Sequence, residues 1–150
     1  MLTSNLQVTS STDRRVKRNP RRGWRKFFLF NLPALLWLLV IFALISMPSS
    51  YFGTSSLFSG DKFIHALMFF ILVILSMQGF YKQQLFAHLR YEGGYYALLL
   101  GFFFSGITEI LQGLAFASRS ADPYDYIANT VGCILGWAFF SWVILQKRSA

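Results

Sequence analysis

The chain has 150 residues, of which 55% are hydrophobic and 13% charged, and its formal net charge is +8. This length suffices for one domain, but the composition is too apolar for an ordinary water-soluble protein. A strongly positive chain can bind nucleic acid or a membrane surface, so the positions of the charges must decide between these two partners.

Four apolar runs predict four membrane-spanning helices, and they cover Phe27–Ser46, Phe63–Phe80, Tyr95–Phe116 and Tyr126–Leu145. Each run is close to the ~20 residues that cross about 30 Å of hydrocarbon as a helix. Lipid offers no hydrogen bonds to the backbone, so a spanning segment is either a helix or a strand of a closed barrel. These continuous runs lack the alternation of barrel strands. The sequence therefore predicts an all-α polytopic membrane protein, a bundle of four transmembrane helices.

The basic residues predict the orientation of this bundle. Eight of the 14 Lys and Arg residues lie at positions 14–26, directly before the first apolar run. Four crossings place Lys82, Arg90, Lys147 and Arg148 on that same side, and leave only Lys62 and Arg119 on the other. The positive-inside rule then puts both termini in the cytoplasm, an N-in/C-in arrangement in the cytoplasmic membrane. A basic tail in this position is expected to contact membrane lipids rather than nucleic acid.

Three regions follow from these features. Residues 1–26 are expected to form a disordered basic cytoplasmic tail, residues 27–145 the membrane domain, and residues 146–150 a short cytoplasmic tail. The first apolar run is longer than the 7–15 or so residues of a secretory signal, and no cleavage motif follows it. The lone Cys133 excludes an intramolecular disulfide.

Polar residues inside the apolar runs carry the functional information, because an ionisable group at the centre of a membrane helix costs ~2.5–3.5 kcal/mol. They occur at spacings that share a helix face: Asp61 with His65, Glu109 with Gln112, and Asp125 with Asn129. The predicted orientation puts all three pairs in the outer half of the membrane. The sequence therefore predicts a polar site between helices that opens to the outer face.

Glu109 needs a cation nearby if its carboxylate is ionised at this depth. The nearest candidate on the outer face is Arg119, and Lys62 is the second.

Several of these residues also have a purely structural interpretation. Asp122 followed by Pro123 has the form of a helix start, with Asp122 as the N-cap and Asp125 in the first turn. His65 and Asn129 are not explained as caps, but each could be a neutral residue that hydrogen-bonds between helices. A further pair, Gly132 and Gly136, predicts close approach of another helix, which we expect to be a neighbouring span rather than a second subunit.

Taken in order, these motifs resemble the VanZ-like membrane protein family over residues 27–145. They are Asp61-Lys62-Phe63-Ile64-His65, Glu109-Ile110-Leu111-Gln112, Arg119, and Asp125-Tyr126-Ile127-Ala128-Asn129 followed by Gly132 and Gly136. The family takes its name from a protein associated with resistance to the glycopeptide antibiotic teicoplanin. The resemblance implies a membrane protein of the cell envelope, without an established reaction.

Three functions remain open at this stage. The first is a factor that binds a lipid or lipid-linked envelope molecule at the outer face and alters glycopeptide susceptibility. The second is an enzyme acting on such a molecule, with His65 or Glu109 as acid–base and Arg119 or Lys62 holding a phosphate. The third is a small proton-coupled transporter. Metal catalysis is a variant of the second function, with Asp61, His65, Glu109 and Asp125 as available N/O ligands, but their spacing is not a recognised metal motif. No metal or other cofactor is therefore expected, and the oligomeric state is open.

Overall fold

The computed structural model describes residues 20–46, 60–115 and 122–149, and within these ranges the chain is helical without strands. Five helices follow one another: α1 (Pro20–Ile45), α2 (Gly60–Lys82), α3 (Ala87–Tyr91), α4 (Gly93–Ala115) and α5 (Pro123–Ser149). Of these, α1, α2, α4 and α5 are long and apolar enough to cross a membrane. The predicted all-α bundle with four spanning helices is therefore confirmed.

The first helix begins earlier than the sequence analysis expected. α1 starts at Pro20, so residues 20–26 are helical and do not belong to a disordered tail. Proline is well suited to the first turn of a helix, because its missing N–H would have no intrahelical partner there. Residues 1–19, the rest of the expected tail, lie outside the described residues. At the other end, α5 extends to Ser149, beyond the expected boundary at residue 145.

The expected loop between the second and third spans is an ordered connection that includes α3. The buried Gln83 side chain accepts hydrogen bonds from the N–H groups of Leu85 and Phe86, at 2.7 and 2.8 Å. Its amide group donates to the Phe86 carbonyl at 2.6 Å. The Phe86 ring packs edge-on against Trp24 and Phe27 of α1, which fastens the connection to the start of the bundle.

Helix α2 is the central element, because it packs against each of the other helices. Its most extensive interface is with α5, and α4 packs against both. The middle of the bundle is apolar: Phe69, Leu72 and Val73 of α2 are fully buried together with Ile41 of α1 and Cys133 of α5. We use the term outer end for the end at which α2 and α5 begin and α4 finishes, after the predicted orientation.

Two glycines allow α5 to lie directly on the backbone of α2. A Cβ atom built on Gly136 would lie 2.6 Å from the carbonyl oxygen of Phe70, and one built on Gly132 would overlap the carbonyl of Ala66. Such contacts exclude any side chain at either position. The partner helix belongs to the same chain, and this close approach brings the polar first turns of α2 and α5 together.

Candidate functional site

The polar residues of the spans gather at the outer end, and we refer to them together as the polar cluster. α2 contributes Asp61, Lys62 and His65, α4 contributes Glu109 and Gln112, and α5 with its capping residue contributes Asp122, Asp125 and Asn129. Arg119, which the sequence analysis also assigned to this site, lies outside the described residues.

The start of α5 is fixed by local cap chemistry. The Oδ1 atom of Asp122 accepts a hydrogen bond from the N–H of Tyr124 at 2.9 Å, and its carbonyl accepts one from the N–H of Asp125 at 2.8 Å. Pro123 is the first residue of the helix. The predicted N-cap is therefore confirmed, and Asp125 lies in the first turn, where a negative charge faces the positive end of the helix dipole.

Lys62 joins α2 to the start of α5 through two ion pairs. Its Nζ atom lies 2.9 Å from Oδ2 of Asp122 and 3.2 Å from Oδ1 of Asp125. The same ammonium group lies 5.4 Å from the centre of the Tyr124 ring. The hydrogen bond from Lys62, followed by that from the Tyr124 N–H, lowers the pKa of Asp122 below its ordinary value. Asp122 is therefore a stable carboxylate at neutral pH.

His65 is almost completely buried, at 2% exposure, in the interface between α2 and α5. Its Nδ1 atom lies 3.2 Å from Oδ1 of Asn129, so the hydrogen bond between helices that we considered for these two residues is present. The opposite ring nitrogen, Nε2, lies 3.7 Å from Oδ2 of Asp125 and 4.0 Å from Oδ1 of Asp61. The ring thus has an amide on one side and two carboxylates on the other.

Glu109 connects α4 to this network in a way that the sequence did not indicate. Its Oε1 atom accepts a hydrogen bond from the backbone N–H of Asp122. We expected Lys62 as the second candidate cation for the Glu109 carboxylate, but Lys62 forms its ion pairs with Asp122 and Asp125. Gln112, three residues further along α4, is buried.

Several buried polar atoms near the outer end have no hydrogen-bond partner within the described part of the chain: Ser105 Oγ, Glu109 Oε2, Gln112 Nε2, Asn129 Nδ2 and Thr130 Oγ1. Burial of such groups without a partner is costly, so they are rare in folded proteins. Ser105 and Thr108 are buried polar residues of α4 that were not predicted from the sequence as part of this site. Helical spacing is the signal that could have identified Ser105, because positions 105, 109 and 112 follow one face of α4.

The charges of the cluster favour some ligands over others. Among its described members, Lys62 is the single Lys or Arg, whereas four residues are acidic: Asp61, Glu109, Asp122 and Asp125. Lys62 is already paired twice, so the cluster offers little to an anionic phosphate on its own. It offers many acceptor oxygens, together with the amide donors of Gln112 and Asn129, for which the described ranges contain no acceptor.

A cleft of about 370 Å³ lies at the opposite end of the bundle, where α2 finishes and α4 begins. Its lining includes the aromatic side chains of Tyr81, Tyr95 and Trp137, with Arg90 and Glu92 beside them. The sequence analysis did not identify this cleft. It has no lining residue in common with the polar cluster, and the two are separated by the apolar core.

Comparison with known proteins identifies the family of this chain. No curated protein and no solved structure matches the chain. The VanZ/LLP1 family model matches residues 3–145, nearly the whole chain. The match begins well before residue 27, where the motif resemblance began, and so includes the basic N-terminal segment. The motifs of the polar cluster and the four-helix fold agree with this match, and the chain belongs to the VanZ/LLP1 family.

Proposed function

We propose that this protein lies in the cytoplasmic membrane and binds the polar part of a lipid or lipid-linked envelope molecule in its polar cluster. The observation that carries the proposal is a set of buried atoms that have no hydrogen-bond partner among the described residues, above all Glu109 Oε2, Gln112 Nε2 and Asn129 Nδ2. In a membrane protein such polar groups are costly, and a bound ligand that supplies hydrogen bonds would offset this cost.

The exposure of the side chains supports entry from the outer end. Asp122, Asp61 and Lys62 form a partly accessible rim, with side-chain exposures of 38%, 31% and 27%. Gln112 and Asn129 are buried. A headgroup that displaces the rim side chains would reach buried donors and acceptors of the cluster, while its acyl chains remain in lipid.

The excess of carboxylates supports a particular class of ligand. Acceptor oxygens bind ammonium, amide and hydroxyl groups, and the buried amide groups of Gln112 and Asn129 can donate to carbonyl or hydroxyl oxygens. Lipids with amino or sugar headgroups and lipid-linked wall intermediates carry groups of both kinds. By binding such an intermediate at the outer face, a member of this family would change glycopeptide susceptibility.

An enzyme acting on the same molecule is the second candidate, and the position of His65 beside two carboxylates is the observation in its favour. A buried imidazole flanked in this way is suited to proton transfer. The described residues do not provide an activated nucleophile, however, because the Nδ1 atom of His65 is engaged by Asn129 rather than by a hydroxyl group. Binding without catalysis is therefore the better supported function.

Native mass spectrometry of the protein purified from its membrane tests the proposal. We expect wild type to retain one lipid-type molecule, and Glu109→Gln to lose it, because the change removes a carboxylate but keeps an oxygen that can accept the Asp122 N–H. Glu92→Gln is the matched control, since Glu92 is exposed and lies outside the polar cluster. No retained ligand in wild type, or equal retention in both variants, would reject a ligand site at Glu109.

A further inference from the structure

We infer that Asp61, His65 and Asp125 form a binding site for a divalent transition-metal ion at the outer end of the bundle. One imidazole nitrogen and one oxygen from each carboxylate lie within 4.8 Å of one another. Two of the residues come from α2 and one from α5, so the helix packing creates the group. Imidazole and carboxylate ligands together suit ions such as Zn²⁺ or Mn²⁺. The inference goes beyond the proposed function and does not depend on it.

The hydrogen bond between His65 and Asn129 determines which ring nitrogen faces the carboxylates as an acceptor. Oδ1 of Asn129 can only accept, so its position 3.2 Å from Nδ1 of His65 places the ring proton on Nδ1. The lone pair of a neutral ring is then on Nε2, which points at Asp125 and Asp61. Metal-binding histidines usually donate their other N–H to an outer acceptor in this way.

A cation between these atoms resolves an electrostatic conflict. With the ring neutral, the Nε2 lone pair faces an oxygen of Asp125 at 3.7 Å and an oxygen of Asp61 at 4.0 Å. A lone pair and a carboxylate oxygen repel each other at these distances, and Lys62 offsets part of the charge of Asp125 through its other oxygen. A divalent ion at their centre would replace this repulsion with three bonds.

Lys62 orients one of the carboxylates from outside the site. Its ammonium group binds Oδ1 of Asp125 at 3.2 Å, while Oδ2 of the same carboxylate faces His65. A carboxylate ligand that is hydrogen-bonded through its second oxygen is typical of metal sites. Both Asp125 and His65 therefore have a partner that holds them in position for the ion.

The distances require only small side-chain movements. An ion bound at about 2.0–2.2 Å from each atom keeps neighbouring ligand atoms about 3–3.5 Å apart. The separations of 3.7 and 4.0 Å from Nε2 of His65 exceed this range by less than about 1 Å. The three ligand atoms lie within 4.8 Å of one another, so the widest separation must shorten by up to about 1.5 Å. Asp61 is partly exposed in the first turn of α2.

Calorimetric titration of Zn²⁺ into the tag-free full-length protein, after treatment with a chelator, tests the inference. We expect one equivalent to bind to wild type, and His65→Gln to weaken binding by more than about 100-fold, because it removes a ligand of the ion. Asn129→Ala should weaken it by about 10–100-fold, because it removes only the outer partner of the ring. His88→Ala is the matched control, since His88 is exposed on α3 and should not change the titration. Protection of the buried Cys133 thiol from maleimide reports that each variant is folded.

Pulsed EPR of the Cu²⁺-loaded His88→Ala protein identifies the ligand. The chain has two histidines, so this variant retains His65 alone. We expect the modulation pattern of a single bound imidazole, and its loss in the double variant His65→Gln with His88→Ala. Absence of stoichiometric metal binding, an equal loss of Zn²⁺ affinity in His88→Ala, or a spectrum without imidazole nitrogen would each overturn the inference. The titration uses lipid-free protein, so its failure would leave the lipid proposal untouched.

Discussion

The ammonium group of Lys62 lies 2.9 Å from Oδ2 of Asp122, so an ion pair joins the first turn of α2 to the residue that caps α5. This contact, followed by the hydrogen bond from Tyr124, lowers the pKa of Asp122 below 3.8. Because the pKa is lower in the folded state, the contact stabilises the fold above about pH 4. The stabilisation is lost as the pH falls further through the folded value.

Two substitutions at Asp122 separate its ion pair from its cap. Asn retains a capping oxygen, so Asp122→Asn should cost only the partly exposed ion pair, about 0–1 kcal/mol. Asp122→Ala also removes the cap and should cost about 1 kcal/mol more. Thermal unfolding in detergent at neutral pH measures both. If the two variants unfolded at the same temperature, the cap would contribute nothing to stability.

The contact between Gly132 and Ala66 predicts a strong effect of a single methyl group. In Gly132→Ala the new Cβ would meet the carbonyl of Ala66, so the two helices must separate, at a cost of about 1–3 kcal/mol or more. Gly106→Ala is the control, because in the described part of the chain nothing beyond the adjacent residues and the local backbone of α4 lies within 4 Å of its added Cβ, and it should be neutral or stabilising. The detergent-solution mass should stay that of wild type. Dissociation of a dimer in Gly132→Ala would instead assign the glycine pair to self-association.

The orientation of the bundle is testable with reporter fusions. The distribution of basic residues predicts that a reporter active only outside the cytoplasm works when fused near Ser55 or Ser118. The same reporter should be inactive near Gln84 or after Ala150. The reverse pattern would place the polar cluster at the cytoplasmic face and remove the argument for an outer-face ligand.

The sequence predicted the features of this protein that depend on neighbouring residues. The cap at Asp122 and Pro123 follows from chemistry within one helical turn, and the spans follow from lengths of apolar sequence. The sequence also predicted that the polar pairs lie at one end of the bundle, because successive helices cross in opposite directions and so bring the starts of α2 and α5 to the end of α4.

The sequence did not predict contacts that depend on how the helices pack. The partner of Glu109 is a backbone N–H at Asp122, and a backbone donor has no signature in an amino-acid sequence. Likewise, the Trp37 ring of α1 donates a hydrogen bond to the backbone carbonyl of Met68 on α2, and a backbone acceptor has no signature in the sequence either. The central position of α2 depends on which faces meet, and four runs that are apolar around most of their circumference do not specify this.

The last prediction concerns Gln112, whose buried Nε2 has no partner among the described residues. In Gln112→Leu an apolar side chain of similar size replaces this amide, so the cost of the unpartnered donor disappears. We expect the free energy of unfolding to stay equal to that of wild type or to rise by about 1 kcal/mol. If the amide serves a ligand, the same variant should lose the lipid-type molecule seen in native mass spectra.

A stable protein with reduced binding would be the signature of a polar group kept for function at the expense of stability. Gln78→Leu is the matched control, because Gln78 is an exposed glutamine of α2 outside the polar cluster, and the ligand should be retained there. Unfolding in detergent and native mass spectrometry on the same preparations give both quantities. A destabilised Gln112→Leu protein that still retained its ligand would show that the amide has a structural role and would remove Gln112 from the site.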